Sequence, residues 1–256
     1  LRLPYFTATA WYHKKLPDDL QKKFLPQVLA LSEDYSINQL MPLMAKGNSA
    51  TESEKLEAAK TMSRFSGISE KAIMSYNLDV PTTFFWKELL REEGFTIGRL
   101  DSRYKGIDKI AGGDRPDYWA ELTSWNHSFA PAINYYFKNV LKFETDVKYN
   151  LFGPVYPWDW KNNNSGESLR KAMAANPYLH TMIQSGYYDG ATRYFDAKYT
   201  MWQLDPSGKM KDRLSFEGYR SGHMMYLREV DLIKSNSDIR KFIKKTTPSS
   251  TKPAKY

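Results

Sequence analysis

The chain has 256 residues, with 37 Lys+Arg against 29 Asp+Glu for a formal net charge of +8, four His and no Cys. That length suffices for a buried core, and 41% hydrophobic with 15% aromatic residues is a globular composition, which excludes wholesale disorder. No apolar run approaches the ~20 residues of a membrane-spanning helix, and the lack of Cys removes disulfide scaffolds, zinc–thiolate sites and thiol nucleophiles together.

Residues 7–15 (TATAWYHKK) read as helix and pass through Pro17 into Asp18-Asp19-Leu20, where acidic side chains suit the positive end of a helix dipole. Leu20, Phe24, Val28 and Leu31 recur at spacings of three and four, which predicts one apolar helix face with Pro26 as a kink or break. Thr51-Glu52-Ser53-Glu54 matches a capping box ahead of Leu56, Ala59, Met62 and Phe65, with Gly67 as the stop. Ser69 caps a short helix over 70–77. Pro81-Thr82-Thr83 leads into another, carrying Phe84, Phe85, Leu89 and Leu90 and ended by Gly94. Such a run of short helices reads as a lid or insertion rather than a self-standing bundle.

From residue 96 the texture changes. Residues 96–101 (TIGRLD) are weakly stranded, and 129–141 (FAPAINYYFKNVL) have the apolar spacing of a helix packed on something large. Trp158, Trp160 and 162–164 form a loop closed by Ser165, the expected N-cap of a helix over 166–175. Residues 178–186 (YLHTMIQSG) predict a buried strand ending in Gly, with Tyr187-Tyr188-Asp189 at its end and helical character over 191–204. A second strand over 213–219 (RLSFEGY) ends in the loop Arg220-Ser221-Gly222-His223. A last helix spans 227–244, and the Thr/Ser/Pro/Lys-rich tail 246–256 predicts disorder.

Strand–Asp189–helix followed by strand–loop–His223 is an α/β arrangement that delivers two polar side chains to adjacent strand ends, where open α/β sheets carry their sites. There an Asp can fix the tautomer of a His and stabilise the imidazolium formed during acyl transfer. The order Asp then His also fits the last two members of Ser…Asp…His. Spacing alone leaves the plainer readings open, Asp189 as a helix cap and His223 as a turn residue.

Residues 176–200 (NPYLHTMIQSGYYDGATRYFDAKYT) and 216–226 (FEGYRSGHMMY) resemble the C-terminal part of bacterial serine carboxypeptidases, the carboxypeptidase Y-like family. So do 3–16 (LPYFTATAWYHKKL), 86–108 (WKELLREEGFTIGRLDSRYKGID) and 165–173, so the resemblance runs from residue 3 to about 245. It implies the C-terminal portion of an α/β-hydrolase sheet: a mainly helical insertion or lid over 1–128, an α/β portion over 129–245 and the tail 246–256. It also implies Asp189 and His223 as two members of a catalytic triad. Most of the 18 Tyr and seven Trp read as core and lid packing, with Trp158, Trp160, Tyr187 and Tyr188 as candidates to line a substrate site near Asp189. Gly190 and Arg193 depart from the pattern, standing where an apolar residue and a proline are expected.

The family nucleophile sits in a Gly-Glu-Ser-Tyr-Gly elbow, and no G-x-S-x-G occurs in this chain. Gly166-Glu167-Ser168-Leu169-Arg170 lacks the second Gly and follows Asn162-Asn163-Asn164 instead of an apolar strand, so Ser168 reads as a first-turn helix residue. The resemblance therefore implies that the serine lies in an upstream segment or in a second chain, and Leu1 fits a chain cut downstream of it. Expected with this are a peptide substrate, acyl transfer without metal or organic cofactor, and periplasmic or secreted location. Homo-oligomer formation is compatible with it, and no membrane association is implied. The alternative is a catalytically inactive α/β-hydrolase-like binding or assembly protein. Lys234, Arg240, Lys241, Lys244 and Lys245 form the densest basic cluster, but without interleaved stacking aromatics they read as a solvated surface, not a nucleic-acid site. His13 reads as a packing or surface residue, His127 as a loop residue and His180 as the solvent side of a strand.

Overall fold

The computed structural model describes residues 1–153, 157, 159, 161 and 163–248; Trp158, Trp160, Asn162 and the tail residues 249–256 lie outside the described residues. Helix α1 (Leu3–Tyr12) has Leu3 through Ala10 all buried, which makes it a core helix rather than an amphipathic surface one. Around it lie α2 (Asp18–Gln21), α3 (Leu25–Tyr35), α4 (Met41–Ala45), α5 (Glu52–Ser66), α6 (Glu70–Ser75) and α7 (Thr82–Glu88). Phe6 stacks on Phe85 at 4.0 Å between ring centroids, and the Trp86 indole donates to the Tyr5 hydroxyl at 2.8 Å. The buried hydroxyls of Thr7 and Ser32 pair at 2.8 Å, so these two polar groups are matched within the core.

Local signals in the sequence are met in α5 and α6. Thr51 accepts from the Glu54 amide while Glu54 returns to the Thr51 amide, and Gly67 closes the helix in the left-handed conformation at φ 71°. Ser69 caps α6 by accepting from the Ala72 amide. The single apolar face expected from Leu20 to Leu31 is corrected. The chain breaks between α2 and α3, and Pro26 sits in the first turn of α3, where its missing N–H costs nothing. Phe24 and Leu31 consequently face solvent, while Leu20 and Val28 remain in the core.

A short antiparallel pair, β1 (Thr96–Ile97) and β2 (Lys105–Gly106), follows α7, and then comes α8 (Ala120–Tyr135). Helix α8 starts nine residues before the expected 129 and contains the expected domain boundary at 128/129, as well as His127, which is helical and not in a loop. Its continuation over Tyr136–Val140 exposes Tyr135, Tyr136, Val140 and Leu141, so the expected packing against a large surface is absent among the described residues.

Helix α9 (Ser165–Ala175) precedes a βαβ unit: β3 (Thr181–Gly186), α10 (Tyr194–Leu204) and β4 (Leu214–Tyr219), the strands parallel in register from Thr181↔Leu214 to Gly186↔Tyr219. Ile183, Leu214 and Phe216 turn one sheet face toward Met173 of α9 and Met201 and Leu204 of α10. The other face meets the last helix, α11 (Glu229–Thr246), through Gln184 on Ser235 at 3.0 Å and Tyr219 on Asp238 at 3.1 Å. The molecule is thus helix-dominated, and its α/β character rests on this one unit. Strand β3, expected to be buried, is half-buried, as is β4, because each has a strand neighbour on one edge only among the described residues. The regions expected as a lid and as an α/β portion pack together: Ala8, Leu25 and Leu29 share a core with Tyr188, Tyr194 and Phe195.

Candidate active site

Parallel pairing brings β3 and β4 to the same end of the unit, and the ladder runs past it. The Tyr187 amide donates to Tyr219 O at 2.9 Å and the Tyr188 amide to Ser221 O at 3.0 Å, which draws the two following loops side by side. Gly186 permits this approach. A Cβ there would lie 2.1 Å from the carbonyl oxygen of Gly222, well inside contact distance.

Asp189 and His223 meet across those loops. His223 Nδ1 lies 2.8 Å from Asp189 Oδ2, and Thr192 Oγ1 donates to the same oxygen at 2.7 Å. Asp189 Oδ1 accepts from the amides of Ala191 at 2.8 Å and Thr192 at 3.0 Å. Asp189 therefore does serve as a cap for the turn ahead of α10, with one oxygen, and holds the imidazole with the other. With its hydrogen directed at Asp189, Nδ1 leaves Nε2 as the basic nitrogen of the neutral ring. Nε2 has no hydrogen-bond partner among the described residues. The hydrogen bond to Asp189 raises the His223 pKa above its ordinary value; burial opposes this, the Asp189 charge adds to it, and the positive charge of Arg99 subtracts.

A third segment fixes both loops from outside. The Gly190 amide donates to Arg99 O at 2.9 Å, the His223 amide to Leu100 O at 2.7 Å, and the Ser102 amide to Tyr188 O at 3.0 Å. Arg103 forks onto Asp101 (Nε–Oδ1 2.9 Å, Nη2–Oδ2 2.5 Å) and also donates to Arg220 O at 3.0 Å. Sequence reasoning assigned no role to residues 99–103 or to Thr192. The Asp101-x-Arg103 pairing is the one local signal that could have marked the clamp.

The two departures from the family pattern have physical explanations. A Cβ on Gly190 would lie 2.5 Å from the Tyr5 hydroxyl and 2.9 Å from both Arg99 O and the Trp86 ring, so a side chain here would have to displace its neighbours. Arg193 has φ −63° and ψ 133°, a backbone conformation that proline also adopts. Its guanidinium pairs with Asp196 and reaches Thr82 Oγ1 at 3.1 Å.

The expectation that Tyr188 lines a substrate site is corrected. It is 1% exposed, packed in the core with the Arg103 guanidinium 5.4 Å over its ring. Tyr187 packs against Gly218 and stands edge-on to Tyr194 at 5.1 Å, so its ring is engaged within the βαβ unit. Ser168 is exposed in the first turn of α9, as expected, and its amide donates to Asn164 O at 2.9 Å. His13 ends α1 and donates from Nε2 to Ser102 O at 2.7 Å, with burial lowering its pKa. His180 directly precedes β3 and is half-buried. Among the described residues no helix is long and apolar enough to cross a membrane.

No protein-family model, curated protein or solved structure matches this chain. The chemistry of the site therefore rests on its own geometry: a buried carboxylate orienting an imidazole whose second nitrogen is free to take a proton.

Proposed function

We propose that this chain is the downstream part of a serine carboxypeptidase-like hydrolase built on an α/β-hydrolase sheet. It contributes Asp189 and His223 to a Ser-Asp-His triad whose serine is brought by an upstream segment or a second chain. One observation carries the reading: the 2.8 Å bond between His223 Nδ1 and Asp189 Oδ2, formed beyond the carboxyl ends of two adjacent parallel strands.

In this mechanism the serine hydroxyl attacks the carbonyl of the last peptide bond. His223 Nε2 takes the hydroxyl proton and passes it to the nitrogen of the departing amino acid, and Asp189 stabilises the imidazolium between the two transfers. Water then hydrolyses the acyl-serine by the same route. The peptide is the substrate, and an exported protein, periplasmic or secreted, fits this chemistry. The outer edges of β3 and β4, unpaired among the described residues, suit a partner that continues the sheet.

The test combines the chain with its serine-bearing segment and exposes it to a fluorophosphonate probe. Serine labelling and release of C-terminal amino acids are expected, both falling by ~10⁴-fold or more in His223→Ala, since triad members act as a unit. Undiminished labelling and hydrolysis in His223→Ala would overturn the assignment. A second reading, an inactive binding or assembly protein of the same fold, is favoured by the apolar side chains that α11 leaves in solvent. It predicts that no serine of any associated chain comes within about 3 Å of His223 Nε2.

A further inference from the structure

Glu121 lies in the first turn of α8, with its side chain wholly buried and no Lys or Arg ion-paired to it among the described residues. A buried carboxylate without a cation costs several kcal/mol unless hydrogen bonds replace its water. Its compensation is specific. Oε2 accepts from the Arg99 amide at 3.1 Å and Oε1 from the Leu100 amide at 2.7 Å. Burial still pushes the Glu121 pKa up, with the backbone hydrogen bonds working against the shift.

The carbonyls of those same two residues hold the site. Arg99 O accepts from the amide of Gly190, the residue after Asp189, at 2.9 Å, and Leu100 O accepts from the amide of His223 itself at 2.7 Å. Two consecutive residues thus point their N–H groups at one carboxylate and their C=O groups at the two loops carrying the Asp–His pair. Contact is close enough that a Cβ on Gly98 would lie 2.2 Å from Glu121 Oε2. Only a carboxylate suits this place. It presents two acceptor oxygens, whereas an amide side chain presents one and turns a donor toward a backbone donor.

We propose that Glu121 is a positioning residue for the Asp189–His223 pair, setting the separation of the two loops through the Arg99–Leu100 backbone. The proposal rests on the hydrolase reading for its functional meaning, but its geometry stands without it. In the assembled hydrolase, Glu121→Gln is expected to lower kcat by about 10²-fold with KM little changed, because ångström-scale misplacement of reacting groups has that effect.

The deciding experiment needs no serine. NMR of the folded chain follows the His223 imidazole titration and its Nδ1–H signal in the natural protein, in Glu121→Gln and in Asp108→Asn. Asp108 is buried against Lys87 and serves as a control for loss of a buried carboxylate elsewhere. Glu121→Gln is expected to bring the His223 pKa down toward the ordinary value of about 6.5 and to weaken the Nδ1–H signal, with Asp108→Asn leaving both in place. Unchanged His223 signals in folded Glu121→Gln would overturn the proposal, as would an equal shift in Asp108→Asn. Should Glu121→Gln fail to fold, amide exchange of the natural protein decides: Arg99, Leu100, Gly190 and His223 are expected to be protected together. Fast exchange at Arg99 or Leu100 would refute the clamp. Failure of the hydrolase reading shows instead in the probe labelling and leaves these signals untouched.

Discussion

The carboxylate of Asp189 is 6% exposed while the imidazole of His223, bonded to it at 2.8 Å, is 47% exposed. The pair is therefore anchored at the Asp and open at the His, the arrangement needed for an imidazole that exchanges protons with something outside the chain. Asp189→Asn tests the anchor. The amide oxygen can retain the bonds from Ala191 and Thr192, but the amide nitrogen would then face Nδ1 as a donor and drive the ring hydrogen to Nε2. A lower His223 pKa and a tautomer switch in its ¹⁵N shifts are expected; an unchanged tautomer would show that Asp189 does not orient the ring.

The same bond links stability to pH. Because the folded pKa of His223 is raised, chiefly by Asp189, its contribution is fully present below the ordinary pKa of about 6.5 and is lost as pH rises through the folded value. The unfolding free energy of the natural protein should thus exceed that of His223→Ala by more at pH 5 to 6 than at pH 8 to 9 (roughly the range spanning a perturbed histidine). His13, whose pKa burial lowers, acts in the opposite sense but is common to both proteins and cancels in the difference. Denaturant titrations at the two pH values check it. A difference that grows toward high pH would contradict the bond.

Gly190→Ala introduces a methyl group where Tyr5 Oη, Arg99 O and the Trp86 ring already stand within 3 Å of the Cβ position. Overpacking of this kind costs about 1–3 kcal/mol. Here the strain falls on the bond from Gly190 to Arg99 and so on the Asp189 loop. Thermal melts should show the loss, and the His223 Nδ1–H signal should weaken with it. A neutral substitution would mean that Tyr5 and Trp86 can withdraw.

What the sequence discloses follows the reach of the interactions. Thr51, Glu54, Gly67 and Ser69 were legible as helix ends because capping is settled within four residues. Strand β3 was legible from a partly apolar run ending in Gly and β4 from the alternation of Leu214, Phe216 and Gly218 with polar neighbours, and the family resemblance singled out Asp189 and His223, which the fold brings together at 2.8 Å. The clamp over 99–103 was not legible, because it works through main-chain groups, the carbonyls of Arg99 and Leu100 and the amide of Ser102, that meet Gly190, His223 and Tyr188 from about 90 to 120 residues away in the chain. Tyr188 misled for a related reason. Its place beside Asp189 suggested a site wall, but the turn after β3 directs it inward beneath Arg103. The apolar period from Leu20 to Leu31 misled because it runs across the break between α2 and α3, a break that reading Pro26 as a kink or break leaves open.

Helix α11 turns much of its apolar surface to solvent. Its inward face carries Asp231 and Asp238, whereas Val230 and Ile233 are 62% and 63% exposed, with Leu232 and Ile243 also largely in water. Apolar surface of this extent, next to a sheet whose edges are unpaired among the described residues, promotes association. Replacing Val230 and Ile233 together with Lys removes apolar surface without touching the inward bonds of α11 to Gln184 and Tyr219. The expected result is a chain with stability altered by no more than about 0.5 kcal/mol per site, as for surface positions generally, and with its concentration-dependent association reduced in sedimentation velocity runs. A large drop in melting temperature would instead place these side chains in the chain's own packing. Unaltered association would move the sticky surface to the strand edges, where a charged residue or proline on the outer side of β3 is the next substitution to make.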